Sequence, residues 1–293
     1  MPRPGESEVL IALVSAGVGG WDADMRGGWS PFGKPEYPLV LGTDGAGTIA
    51  EVGSRVRRFE PGDRAYAFSF DNAKGGFYAE YVAVASDNAA LAPEGLDLAH
   101  AGAIPATGLT ALQGVDDALE IRKGETILIH GASGGVGTLA LQFAKWRGAR
   151  VLAAGSGARG VALAKRLGAD AAVDGKRGDV AAAARMFAPR GLDAILAFAG
   201  GRALTASLDC LRRGGRVAYP NGIDPAPRKR GGVKITSYDL RPGPREFERL
   251  SRAVEGSRLE VPIDHEYTLA NASAAHKRLA RGGVLGKVVL RIA

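Results

Sequence analysis

The chain has 293 residues, 46% hydrophobic and 24% charged, enough to bury a sizeable core, and this suits one soluble enzyme subunit of two domains. Its formal charge of +7 comes from scattered arginines, and the one tight run, Arg228-Lys229-Arg230, sits in a Pro/Gly loop without interleaved aromatics, so nucleic acid is not an expected partner. A single cysteine, Cys210, excludes an internal disulfide and a four-cysteine zinc site, while the lack of a long apolar stretch or an amino-terminal signal predicts a cytoplasmic protein with no membrane span.

Up to about residue 100 the sequence is glycine-punctuated and strand-like, as in Leu41–Val52 and Gly76–Val84. From Ala101 to about Leu240 strands and apolar-periodic helices alternate. The strands are Thr126–His130, Arg150–Ala154, Ala171–Val173, Asp193–Phe198 and Arg216–Tyr219. That alternation predicts βαβ units and a doubly wound parallel sheet. After Pro242 and Pro244, a helix around Arg245–Glu255 and the segment 286–290 are expected to return to the first part.

The densest information lies in Thr126–Gly148. An apolar strand ends in a glycine turn, after which Val136, Leu139, Ala140, Phe143 and Ala144 recur on one helix face. Ser133, Gly134, Gly135 and Val136 span the turn. Gly134 would let backbone approach a pyrophosphate, Gly137 would let the helix pack on the strand, and the first free helix amides would face the anion. The usual first glycine of such a turn is Ala132 here. No acid follows the second strand, which ends Ala153-Ala154-Gly155-Ser156-Gly157-Ala158-Arg159. An NAD site would place a carboxylate there for the ribose hydroxyls, whereas Ser156 and Arg159 suit a 2′-phosphate, so NADPH is the expected cofactor. Arg159 has a plainer reading as a solvated residue at a helix start.

Five motifs then stand in order: Gly42–Gly47 with Val52-Gly53, Pro61–Arg64, Gly76–Val82, Leu109–Ala111 and Gly131–Gly137. Together they resemble the medium-chain dehydrogenase/reductases, and within them the zinc-free quinone oxidoreductase, or zeta-crystallin-like, branch. The resemblance implies an α/β fold, with a Rossmann NADP-binding domain at residues 101–244 and a mostly β GroES-like domain at residues 1–100 and 245–293. It implies that the catalytic-zinc ligands of metal-dependent members fall at Gly19, Thr43 and Ala106, none suited to zinc. Without a Lewis acid to stabilise an alkoxide, the implied reaction is reduction of an already electrophilic acceptor, a small flat quinone or enone.

Carried over residue by residue, the resemblance places Thr110 beside the nicotinamide, Trp29 near an aromatic of the acceptor pocket, and Asp22 and Asp44 around the vacant metal position. It adds Thr43, Gly155, Asn221, Gly222 and Lys287 as cofactor contacts. Trp29 alternatively packs as a loop aromatic, and either carboxylate alternatively braces a turn. No convincing general acid stands out; Tyr37, Tyr66 and Tyr78 read as core or surface residues, and His100 and His130 as structural ones. Two departures are visible. An opening hairpin of relatives is missing before Pro4–Leu10, and an aromatic expected after the third strand is replaced by Asp174-Gly175-Lys176, where Lys176 supplies charge instead of stacking. The β-branched segment Gly232–Tyr238 is expected to pair with its twin in a homodimer. Two other functions fit the same sequence: reduction of an enoyl thioester, and a non-catalytic NADPH-binding or RNA-binding role.

Overall fold

The computed structural model describes residues 1–29, 37–70, 72–228 and 230–293, so Lys229 of the basic run lies outside the described residues. The chain divides into two compact units. One comprises Met1–Leu109, Arg241–Glu255 and Ile263–Ala293; the other comprises Thr110–Leu240 and Gly256–Pro262.

The second unit is built on a six-stranded parallel sheet. From one edge its strands are Lys234–Tyr238, Leu211–Pro220, Leu192–Ala197, Thr126–His130, Arg150–Gly155 and Ala171–Asp174. Taken in chain order this is sixth, fifth, fourth, first, second, third, the doubly wound Rossmann order. Thr126–His130 is buried along its whole length, as a strand covered on both faces must be. The helix Gly135–Trp146 buries Leu139, Ala140, Phe143 and Ala144, while Val136 at its start is partly exposed. The fourth strand begins one residue earlier than its sequence suggests and stops before Phe198. Arg216–Tyr219 proves to be the end of a longer strand whose register shifts between Leu211 and Arg216, around the positive φ of Gly214.

The first unit holds a seven-stranded mixed sheet ordered Ile263–Thr268, Lys287–Arg291, Glu8–Val18, Asp44–Val52, Arg64–Phe68, Ala89–Leu91, with Tyr81–Ala85 also pairing to Glu8–Val18. The last strand runs antiparallel to the first, Val288 opposite Val18, so the chain end does return to its beginning. Val9, Ile11, Leu13, Ile49, Phe77, Val82, Val288 and Leu290 form the core between. The helix Pro244–Ser257 opens on Pro244, where a missing amide hydrogen costs no helical bond.

Side-chain ties explain where the units divide. Ser15 Oγ donates to the Leu98 carbonyl at 2.6 Å, binding the segment after residue 97 to the first sheet. Gln142 bonds both the amide and the carbonyl of Glu260, at 2.9 and 2.8 Å, and so holds residues 256–262 in the second unit. Among the described residues no helix is long and apolar enough to cross a membrane.

Candidate active site

In the first unit, four pieces of chain converge: the end of the Glu8–Val18 strand with the short helix Gly20–Arg26, the start of the Asp44–Val52 strand, the start of the helix Pro105–Gln113, and the start of the Lys287–Arg291 strand. The amide of Gly19 donates to Asp22 Oδ2 at 2.8 Å, which holds the first turn of the Gly20–Arg26 helix. The amide of Ala106 donates to Asp44 Oδ2 at 3.1 Å. Trp21 Nε1 donates to Thr43 Oγ1 at 2.7 Å. Each of the three positions Gly19, Thr43 and Ala106 is therefore hydrogen-bonded to a neighbouring aspartate or tryptophan. The indole leans across Gly19: a Cβ there would lie 2.5 Å from Cζ2 and 2.8 Å from Cδ2 of the ring, and closer still to Cε2. Only glycine leaves that room.

The surroundings are charged but almost dry. Asp22 and Asp44 are fully buried, and among the described residues Oδ1 of each has no hydrogen-bond partner. Lys287 is 5% exposed, with Nζ 3.9 Å from Asp44 Oδ2 and 5.4 Å from the Trp21 ring centroid. Its ammonium is the counter-charge of the pair and a cation–π partner of the indole. Burial pushes the Asp22 carboxyl up to about 7, with repulsion from Asp44 adding to the rise and Lys287 and the Gly19 amide opposing it. Burial likewise raises Asp44 against the pull of Lys287. Tyr78 donates to Asp22 Oδ2 at 3.1 Å, and His276 Nε2 lies 3.2 Å from the same hydroxyl. Burial, with the Asp22 charge beside it, raises the Tyr78 hydroxyl well above its ordinary range, and burial lowers His276.

The second unit carries the glycine turn. Gly131 takes a positive φ of 78°, and its amide and that of Ala132 donate to the Ala154 carbonyl at 3.1 and 3.0 Å. The tight bend thus falls at Gly131, which is why Ala132 is tolerated. Gly134, Gly135 and Val136 are partly exposed at the start of the helix Gly135–Trp146. A Cβ on Gly134 would meet only the Gly131 carbonyl, at 3.6 Å, whereas one on Gly137 would lie 2.7 Å from Ala132 Cα and closer to the Gly131 carbonyl. The fold itself demands glycine at 137 but not at 134. A dinucleotide pyrophosphate on this helix end supplies the missing reason, so the residues fit such a cofactor.

Around the second strand end, Ser133 Oγ turns inward and accepts from the Ser156 amide at 2.9 Å. Gly155 gives its carbonyl to the Gly175 amide at 2.7 Å. Arg159 and Lys176 are exposed. Asp174, which the sequence places with Gly175 and Lys176 where relatives have an aromatic, accepts on Oδ1 from the amides of Gly157 and Lys176 at 3.1 and 2.9 Å. Those two amides, Lys176 first, hold its carboxyl below the usual range. The second strand's missing acid is supplied by the third.

The remaining sequence candidates scatter. Thr110 is buried in the second unit, and its carbonyl accepts from the Tyr238 hydroxyl at 3.0 Å. Asn221 Nδ2 donates to Asp239 at 2.7 Å, beside an exposed Gly222. Trp29 is 54% exposed, and its amide closes the preceding helix on the Asp24 carbonyl. The tryptophan whose indole meets Thr43 and Lys287 is Trp21. Tyr66 is core, edge-on to Phe247 at 5.2 Å, and His130 is buried, its burial lowering its pKa to about 4. His276 also went unread, since only its meeting with Tyr78 singles it out. For Trp21 there was a signal: a glycine at a ligand position followed two residues later by an indole.

Comparison with known proteins agrees with this layout. Residues 5–94 match the family profile "Alcohol dehydrogenase GroES-like domain", and residues 167–290 match "Zinc-binding dehydrogenase". The chain is 30% identical to the quinone oxidoreductase of Mus musculus over 99% of its own length and 91% of the relative's. It is 31% identical to that of Pseudomonas aeruginosa, over 98% and 92%. A solved NAD-dependent alcohol dehydrogenase superposes with a TM-score of 0.90 at 30% identity, covering 100% of this chain and 94% of that one. The mycobacterial protein Rv1454c, complexed with NADPH, superposes with a TM-score of 0.86 at 29% identity, over 99% and 93%. The zinc of the second profile's description does not fit here. Gly19 and Ala106 carry no ligand atom, and the Thr43 hydroxyl is already bonded to Trp21.

Proposed function

The chain belongs to the medium-chain dehydrogenase/reductases, in their quinone oxidoreductase branch, and from that premise we propose that it is an NADPH-dependent reductase of quinones or conjugated enones that works without a metal. The observation that carries this reading is the use made of the three ligand positions: a backbone amide, a hydroxyl and a second backbone amide, bound to Asp22, Trp21 and Asp44. No Lewis acid can be held there to stabilise an alkoxide, so the favoured acceptor is one that is electrophilic already.

When bound, the dihydronicotinamide supplies the hydride. The chain's own part is to bind and orient. The first amides of the Gly135–Trp146 helix, with Gly134 leaving space, hold the pyrophosphate, and Ser156, Arg159 and Lys176 face the 2′-phosphate. Asp174 opposes that charge, and the proposed preference for NADPH rests on two cations and the Ser156 hydroxyl outweighing one carboxylate. Thr110, Asn221, Gly222 and Lys287 are proposed contacts by family resemblance. Asp22 acts by bracing Gly19 and Tyr78, being too deeply buried to touch an acceptor. The Lys234–Tyr238 strand forms one edge of the parallel sheet, and we assign to it the pairing surface of a homodimer, which sedimentation equilibrium would measure.

Steady-state oxidation of NADPH and NADH across quinones, enones and enoyl-CoA thioesters tests the reading. Turnover of quinones or enones with NADPH is expected. Turnover confined to enoyl-CoA would move the substrate class, and tight RNA retention without turnover would replace the enzyme by a binding protein.

A further inference from the structure

We propose that the indole of Trp21, seated on Gly19 and anchored to Thr43, is the wall against which the acceptor is held, and that it decides which acceptors are reduced. The inference rests on the reductase reading above and adds the residue that recognises the acceptor. Three observations carry it. First, the ring fills space that any side chain at position 19 would claim, with Cζ2 and Cδ2 only 2.5 and 2.8 Å from a Cβ built there. Second, its N–H is committed to Thr43 Oγ1 at 2.7 Å, which fixes the ring's orientation. Third, Lys287 lies over the ring at 5.4 Å, yet the residue remains partly exposed although Asp22, Thr43 and Lys287 around it are buried. An oriented aromatic that keeps an open surface inside a buried charged cluster is a contact for a flat apolar molecule.

This has a consequence for specificity. A metal-dependent site selects an acceptor by the oxygen that it coordinates. An indole in the same seat selects by apolar area, so extended flat acceptors should gain from it and small acyclic ones should not. Trp29, more than half exposed, should not discriminate in this way.

The test has two arms. In the first, kcat/KM for 1,4-naphthoquinone and for but-3-en-2-one is measured in the parent, Trp21→Ala, Trp21→Phe and Gly19→Ala. The expected result is a loss of about tenfold or more for the naphthoquinone in Trp21→Ala and Gly19→Ala, a smaller loss in Trp21→Phe, and less than about threefold change for the butenone. NADPH dissociation constants from calorimetry, which also sense Thr43 and Lys287 beside the ring, should change by less than the naphthoquinone loss throughout. The second arm needs no turnover: saturable quenching of tryptophan emission by 1,4-naphthoquinone should persist in Trp29→Phe and vanish in Trp21→Phe. Unchanged selectivity in folded Trp21→Ala and Gly19→Ala, or quenching lost with Trp29 instead, would overturn the assignment while leaving the reductase reading standing. A parent that binds the naphthoquinone without reducing any acceptor would overturn that reading and the selectivity claim together.

Discussion

Trp21 donates its indole N–H to Thr43 Oγ1 at 2.7 Å while its ring covers Gly19, so one aromatic residue contacts two of the three positions at which the family resemblance puts the catalytic-zinc ligands. The glycine and the tryptophan should then be energetically coupled. Gly19→Ala forces the ring aside and is expected to cost about 1–3 kcal/mol of stability, as overpacking does. In a Trp21→Ala background the same change should be nearly free. Urea denaturation of the four proteins measures the coupling, and additive effects would show that the two residues do not share space.

Asp22 gives a pH dependence of known sign. Its carboxyl sits at about 7 in the folded chain against an ordinary value of 3.8, raised by burial, so between those values the folded state holds a proton that the unfolded state has lost. Its contribution is most favourable below pH 4 and is lost as pH rises through 7. Asp22→Asn keeps an acceptor for the Gly19 amide and removes the titration. Relative to the parent, the variant should gain stability steadily from about pH 4 to about pH 7, by roughly 4 kcal/mol in all, and little above that. His130, lowered to about 4 by burial, acts oppositely, losing stability as pH falls from its ordinary value of 6.5, and it is common to both proteins. A flat difference between parent and variant would show that Asp22 is ionised throughout.

Two glycines of the nucleotide turn should separate binding from folding. Gly134→Val meets nothing nearer than a carbonyl at 3.6 Å and is expected to fold, yet to lose NADPH affinity by at least about tenfold, because the helix amides are screened from the pyrophosphate. Gly137→Val drives a side chain into the Gly131 and Ala132 backbone and should fail to fold stably. Circular dichroism with calorimetric titration checks both. A folded Gly134→Val protein that binds NADPH as the parent does would remove the turn from the cofactor site.

The cofactor preference should respond to Arg159. With Asp174 fixed on the Gly157 amide at 3.1 Å, the charge near a 2′-phosphate is a contest, and Arg159→Ala should narrow the ratio of NADH to NADPH dissociation constants by about tenfold. Equal constants in the parent would mean that the carboxylate has won.

The architecture was legible because its signals are local. The all-buried strand Thr126–His130, the glycine turn and the 3.6-residue face of Leu139, Ala140, Phe143 and Ala144 lie within about twenty residues, and alternating strands and helices joined by right-handed crossovers make a parallel sheet covered on both faces. The acceptor side was not legible in the same way. Trp21 gains its meaning from Thr43, 22 residues on, and Lys287 meets Asp44 only because the last strand pairs with the first. Asp174 illustrates the same limit. The second strand was correctly read as ending without an acid, but pairing Gly155 with Asp174 across the sheet brings one to the helix start. Trp29 was the more conspicuous tryptophan in the sequence, close to the expected aromatic position, whereas Trp21, eight residues earlier, is singled out only by its bond to Thr43 and its place over Gly19.

The proposed reaction is hydride transfer to an electrophilic acceptor without a metal. Its most direct test is the initial rate of NADPH oxidation with 1,4-naphthoquinone and cyclohex-2-enone by protein stripped with chelator, with and without added zinc, alongside metal analysis of the untreated chain. Turnover of at least one acceptor is expected, with a rate indifferent to chelation and to zinc and no stoichiometric metal, because Gly19, Thr43 and Ala106 are bonded to Asp22, Trp21 and Asp44. A rate that disappears on chelation and returns with zinc, or one tightly bound zinc per chain, would contradict it.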